Sequence, residues 1–428
     1  MQPGRTRDRW RSVRADLNRR RSELTARAAE ALPAHRRVAG TPLLARPGWI
    51  PDRPVPLERV RLVWTGETPA TPVDGHSPAL DPIRPLRDDG TPYASYAEAV
   101  GELARPRLFE NRACYRLLQV RGDDAVTLTF GRGHYFDVID ICEAAAHEFA
   151  AANPAGTGRA PDPVRTPFRA LIGDPTDLTA RPVMAGISTL VLRHDPGPAP
   201  GDSTAEFILH WRDPAKVATA GGLHQVTPVG MFQPSHDAPW NEANDFGLWR
   251  AIVRELSEEL LGTSEDYGSD TAPIDYDAWP FNRALGDARA SGAASVHWLG
   301  LGVDPLTFVI DMLTVLVLDA EVFDGLFQDL AATNDEGHLV GVEDGTGRSM
   351  GVPFRPTTSN GSRRWNPCSP PGPPCSGSPR CTGTRCWDGP DPTRPSRHQL
   401  DISGAASASR GRRPGGRRWP RDRHHACR

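Results

Sequence analysis

The stretch RELSEELLG (254–262) decides how the rest of the chain is read. Glu255, Glu258 and Glu259 stand at i, i+3 and i+4, so a helix brings their side chains toward one face. Like charges at that spacing repel by a few tenths of a kcal/mol per pair. Leu256, Leu260, Val253 and Ile252 supply a packing stripe, and Arg254 places a cation beside the acids. Two readings follow. Water can screen a solvated acidic face, or a hard divalent cation such as Mg²⁺ or Mn²⁺ can turn the repulsion into attraction.

Working outward, residues 183–354 read as one α+β unit. ISTLVLRH (187–194), AEFILHWRD (205–213), VHWLGLGVD (296–304) and VIDMLTVLVLD (309–319) are apolar strands, and HLVGVE (338–343) is a last one. GGLHQVTPVGMFQP (221–234) is glycine-rich and strand-like. Helices are expected over 244–262, 276–290 and 321–334. Upstream, 39–152 forms a second α+β region. There ACYRLLQV (113–120) and AVTLTFG (125–131) pair around RGDD, and a helix follows over 134–152. His134, Cys142 and His147 invite a metal reading, but Cys142 and His147 are five apart and share a helix face poorly, which favours a structural role. Residues 1–38 are an Arg-rich helical segment with the stripe Trp10, Val13, Leu17, Leu24 and Ala28. Its eleven arginines before residue 38 allow phosphate contacts, but the solvated face of a docking helix is the favoured reading.

From residue 355 the character changes. Five of the seven cysteines lie beyond residue 367, amid Pro and Gly with no helical or strand period. The spacings of Cys368, Cys375, Cys381 and Cys386 lack a CxxC pair, so a zinc module is a weak reading. The segment 355–428 reads as disordered, or as the product of a shifted frame, since a GC-rich shifted reading gives a Leu/Ala-faced helix. It carries 15 Arg and 4 Asp, net +11, against −3 for the whole chain, which leaves −14 elsewhere. An acidic body argues against broad nucleic-acid binding. No apolar run reaches the roughly 20 residues of a membrane span. The scarcity of cysteine before residue 368 fits a reducing cytoplasm. Nothing in the sequence speaks to oligomeric state.

The acidic helix, following two strands and a glycine-containing strand, resembles the helix of the Nudix box, G-x5-E-x7-R-E-U-x-E-E-x-G-U, where U is aliphatic. The match covers Arg254, Glu255, Leu256, Glu258 and Glu259. The resemblance implies a mixed-sheet α/β/α sandwich and metal-dependent hydrolysis of a nucleoside diphosphate linked to another group. It implies Glu255, Glu258 and Glu259 as ligands of Mg²⁺ or Mn²⁺, with Glu258, Glu259 and Arg254 in the catalytic machinery. Gly230 lies 24 residues before Arg254 where the pattern has 14, so 235–245 becomes a loop at the mouth of the metal site. The pattern's first Glu falls at Phe246, leaving Glu242 or Asp245 to substitute, and Glu336 is a candidate later carboxylate. Trp240, Phe246 and Trp298 are candidate base-stacking residues. The closing glycine, Gly262, is one place late. A catalytically silent ligand-binding or regulatory module of the same type is the alternative.

Overall fold

The computed structural model describes residues 2–122, 125–156, 163–199, 202–328 and 330, then 337–340, 342–343 and 349–354. The Cys-rich segment from 355 and Glu336 lie outside the described residues. In chain order, Pro3–Glu30 (α1) precedes Val55–Pro56 (β1), Val60–Trp64 (β2), Tyr96–Leu103 (α2), Ala113–Gly122 (β3) and Val126–His134 (β4). Tyr135–Val138 (α3) runs through a π-helical turn, Ile139–Glu143, into Ala144–Ala152 (α4), and Pro167–Ile172 (α5) follows. The second half holds Ala185–Asp195 (β5), Thr204–Phe207 (β6), Leu209–Arg212 (β7), His224–Val226 (β8) and Val229–Met231 (β9). Next come Pro239–Asn244 (α6), Leu248–Leu261 (α7), Pro280–Ser291 (α8), Ala294–Val303 (β10), Ile310–Asp319 (β11) and Ala320–Leu326 (α9). Gly337–Val340 (β12), Val342–Glu343 (β13), Ser349–Met350 (β14) and Val352–Phe354 (β15) close the described chain. None of the described helices is long and apolar enough to cross a membrane.

The architecture is α+β around a mixed sheet ordered β1-β10-β11-β5-β6-β15, with β9 paired to the start of β5. Its centre is the parallel pair β5–β11, in register from Ala185↔Ile310 to His194↔Asp319. The neighbouring pairs, β10–β11 and β5–β6, are antiparallel. Side chains on a strand alternate between faces. Ile187, Val191, Val296, Met312 and Leu316 face one large core, into which α7, α8 and α9 also pack. Leu192, Phe207, Leu209 and Val315 form a smaller cluster to which, among the described residues, only strand residues contribute. AEFILHWRD breaks at Ile208, so β6 stays in the main sheet while β7 leaves to pair with β8 and β12. GGLHQVTPVGMFQP likewise gives two short strands, β8 and β9, rather than one.

The boundary between the two α+β regions does not divide the core. Leu44, Trp49, Leu57, Tyr115, Leu117, Leu128 and Phe130 belong to the same cluster as the apolar side of α7. β1, from the upstream region, is an edge strand of the main sheet. The N-terminal helix is more than a solvated cover. Leu17, Leu24 and Ala28 pack on Ala146, Phe149, Ala150 and Leu306. Arg14 and Arg21, 5 % and 1 % exposed, both reach Glu143. A buried carboxylate needs such partners, because an unpaired buried charge costs several kcal/mol.

His147 is also structural. It stacks on Trp10 and meets the Tyr96 hydroxyl at 3.0 Å, while burial pushes its pKa down to about 3. Among the described residues no group of three His, Cys, Asp or Glu side chains is placed to hold a metal ion.

Candidate functional site

α7 forms because Leu248, Ile252, Leu256 and Leu260 recur every four residues, with Ala251 and Val253 beside them, all buried. Burying a leucine of this kind contributes about 1.5–3 kcal/mol. The helix starts later than its sequence predicts. Asp245 turns inward and ends the short helix α6, so the helix expected from 244 begins at Leu248. It ends at Leu261 because Gly262 takes φ 66°, a left-handed conformation that suits glycine and lets its N–H bond the Ser257 carbonyl.

The three glutamates do not all converge: Glu255 and Glu258 share one cavity and Glu259 turns away from it. At 3.6 residues per turn, neighbours such as Glu258 and Glu259 point about 100° apart. Glu259 is 2 % exposed and turns to the strand side, where it accepts hydrogen bonds from the Val229 N–H at 3.0 Å and from the Thr227 hydroxyl. His210 Nδ1 is 4.0 Å from it. Glu258 accepts from the Tyr267 hydroxyl at 2.7 Å. Burial first, and then Glu258, push the Tyr267 pKa up, so the phenol stays a donor. The Glu255 carboxylate lies against the backbone of Gly230, where a Cβ would come within 2.0 Å of Oε1.

Glu255 and Glu258 line a cavity of about 490 Å³, and Glu259 does not. Gly186 pairs with Met231, and Gly230 with Ile187. The two glycines therefore belong to opposite faces of the sheet, and the cavity touches both. Its lining also includes Thr25, Glu143, Gln225, Asp304 and Asp311. Asp311 was not evident from the sequence. The signal was present, since it is one acid inside the apolar run VIDMLTVLVLD. Burial and Asp304 push its pKa up to about 7, with Arg212 opposing.

The other candidates have different roles. Arg254 is 3 % exposed and donates to the Tyr276 hydroxyl at 2.7 Å and the Gln233 carbonyl at 2.6 Å, with Asp245 at 3.6 Å. Burial opposes its charge, but Tyr276 and Asp245 outweigh this and raise its pKa. Asp245 is fully buried and accepts from the Ser235 N–H and hydroxyl and from Tyr276. It ties the 235–245 segment to the acidic helix and does not line the cavity. That segment is therefore anchored, not a free loop, and Pro239–Asn244 within it is helical. Glu242 makes a two-pronged ion pair with Arg132 at 2.6 and 2.7 Å, away from the cavity.

The three expected stacking aromatics are also elsewhere, and none of them lines the cavity. Trp298 is 1 % exposed because its strand turns it into the core. Phe246 packs among Trp64, Tyr115, Phe130 and Phe232. Trp240, 42 % exposed, donates to the Ser269 carbonyl at 3.0 Å. The aromatic rings at the cavity belong to Phe109, Tyr135 and Tyr267, from segments that carried no motif.

Gly230→Ala tests the placement of Glu255. The added Cβ meets the far end of a flexible side chain, so the fold should persist with a loss of about 1 kcal/mol or less. Glu255 must swing away, and any Mn²⁺-induced rise in melting temperature should shrink. An unchanged metal response would show that the Gly230–Glu255 contact is immaterial.

No protein-family model matches this chain, and no curated protein sequence matches it either.

Proposed function

We propose that the protein is a metal-dependent hydrolase of Nudix type that cleaves a nucleoside diphosphate linked to another group, using Mg²⁺ or Mn²⁺. The observation that carries this reading is the opening of Glu255 and Glu258, from one rigid helix, into one cavity with Arg112 and Arg212 on its walls. Two carboxylates are a fitting donor set, because Mg²⁺ is commonly held by one or two carboxylates together with substrate phosphate oxygens. Gly230 leaves the space that the Glu255 carboxylate occupies. The cation, when bound, would neutralise diphosphate charge and favour attack by water. Glu255 and Glu258 would hold it, Tyr267 orients Glu258, and Arg254 fixes the helix through Asp245 and Tyr276.

A second reading has its own support. Glu259, the third carboxylate of the motif, is engaged with Thr227 and Val229, which favours a silent module that binds a ligand without cleaving it. A hydrolysis screen separates the two. The full chain with Mn²⁺ or Mg²⁺ should release a nucleoside monophosphate from at least one nucleotide sugar or dinucleotide, and EDTA should stop it. If no diphosphate, including nucleoside triphosphates, is turned over with either metal, the silent module is the better account.

A further inference from the structure

We propose that the part of the cavity at Asp311 is a binding site for a protonated primary amine, with Asp311 as its counter-charge and Thr25 and Gln225 as hydrogen-bond acceptors. Asp311 lies on the opposite face of the sheet from Glu255, and the site does not depend on hydrolysis there.

The first observation is a pair of orphan polar atoms. Thr25 lies in the last part of α1 and is 6 % exposed. A helical threonine often closes its hydroxyl on the carbonyl three or four residues back. Thr25 Oγ1 has no hydrogen-bond partner among the described residues, and neither does Gln225 Oε1 on β8. A buried polar atom left unpaired costs about 1–3 kcal/mol, so such atoms call for an explanation. Both residues line the cavity that Asp311 enters.

The second observation is the room made for the carboxylate. Gly186 sits beside Asp311 in the parallel ladder. A Cβ at 186 would stand 2.5 Å from Asp311 Oδ1, so no other residue fits there without moving the acid.

Charge decides the kind of guest. Beside the Asp311 carboxylate a cation is attracted and an anion repelled, while a neutral polyol gains little. An ammonium carries three N–H donors and no acceptor, which suits one carboxylate with two orphan acceptor atoms on the same lining. Asp304 and Arg212 are the charged groups that bear on Asp311, and their effects oppose each other. An ammonium close to Asp311 would favour the ionised carboxylate, so that Asp311 loses its proton more readily near neutral pH.

The test is calorimetric titration of the full chain with butylamine and putrescine, against butanol, glucose and KCl. An amine should bind and the alcohol, the sugar and K⁺ should not. Binding should strengthen from pH 6 to pH 8, as Asp311 loses its proton. Asp311→Asn should weaken amine binding at least tenfold, and Thr25→Val, which keeps the shape, should weaken it severalfold. Asp311→Asn should fold well. Between its ordinary value near about 4 and its folded value of about 7, the folded chain holds a proton that the unfolded chain has lost. Stability therefore falls as pH rises through that window, and the variant should lose this slope and melt higher than wild type at pH 8. Equal binding of butanol and butylamine, undiminished binding by Asp311→Asn and Thr25→Val, or no heat from either amine would each overturn the proposal.

Discussion

Glu258→Gln should lower metal-dependent diphosphate hydrolysis by at least about a hundredfold, roughly 2.7 kcal/mol in the barrier. The change keeps side-chain shape and leaves an oxygen to accept the Tyr267 hydroxyl, now at 2.7 Å. What it removes is one negative charge from the cavity, and with it the attraction for a divalent cation. In the absence of metal the variant should melt at or slightly above the wild-type temperature, because repulsion within the acidic helix is relieved. Melting curves with and without millimolar Mn²⁺, read beside the hydrolysis rates, separate the two effects. A wild-type melting temperature indifferent to Mn²⁺, with no substrate turned over, would reduce the carboxylates to structural and surface charge.

Arg254→Met should cost about 3–5 kcal/mol of folding stability, the usual result of stripping a buried carboxylate of its cation. Asp245 would stay fully buried, with only the hydroxyl and N–H donors of Ser235, Tyr276 and Asn244 around it. The Gln233 carbonyl would lose its donor as well. Pairing the change with Asp245→Asn should restore part of the loss, since the uncompensated charge goes too, and the double-mutant cycle measures the coupling. Urea unfolding of the four proteins is the measurement. A loss under 1 kcal/mol for Arg254→Met would mean that the 235–245 segment is not held by this pair.

Local pattern carried the elements further than it carried the site. β5, β10 and β11 were legible because long apolar runs rich in Val, Ile and Leu admit few other structures. The apolar stripe of α7 was legible for the same kind of reason. Its start was not, because the break before Leu248 is made by Asp245 reaching Ser235 and Tyr276, contacts between residues ten and more apart. Helical spacing put Glu255 and Glu259 on one side of α7. It could not say that the backbone N–H of Val229 lies opposite Glu259 and draws it off. Trp298 resembled a stacking residue until the sheet fixed which face of β10 is inside. Thr25 and Asp311 lie 286 positions apart, and only the fold brings them to one cavity.

The central pair of the sheet has a consequence for how the protein is made. Ala185 and Ile310 are adjacent in space and about 125 residues apart in the chain. On a ribosome, β5 emerges long before the strand that completes its parallel edge. At a synthesis rate of roughly 5–20 residues per second, that edge waits on the order of ten seconds. During the wait, β5 can pair with β6 and β9 on one side but leaves its other, apolar edge open, the kind of surface that joins wrong partners. Nascent chains released or stalled between residues 195 and 310 should therefore depend on chaperones, and those extending past Asp319 much less so.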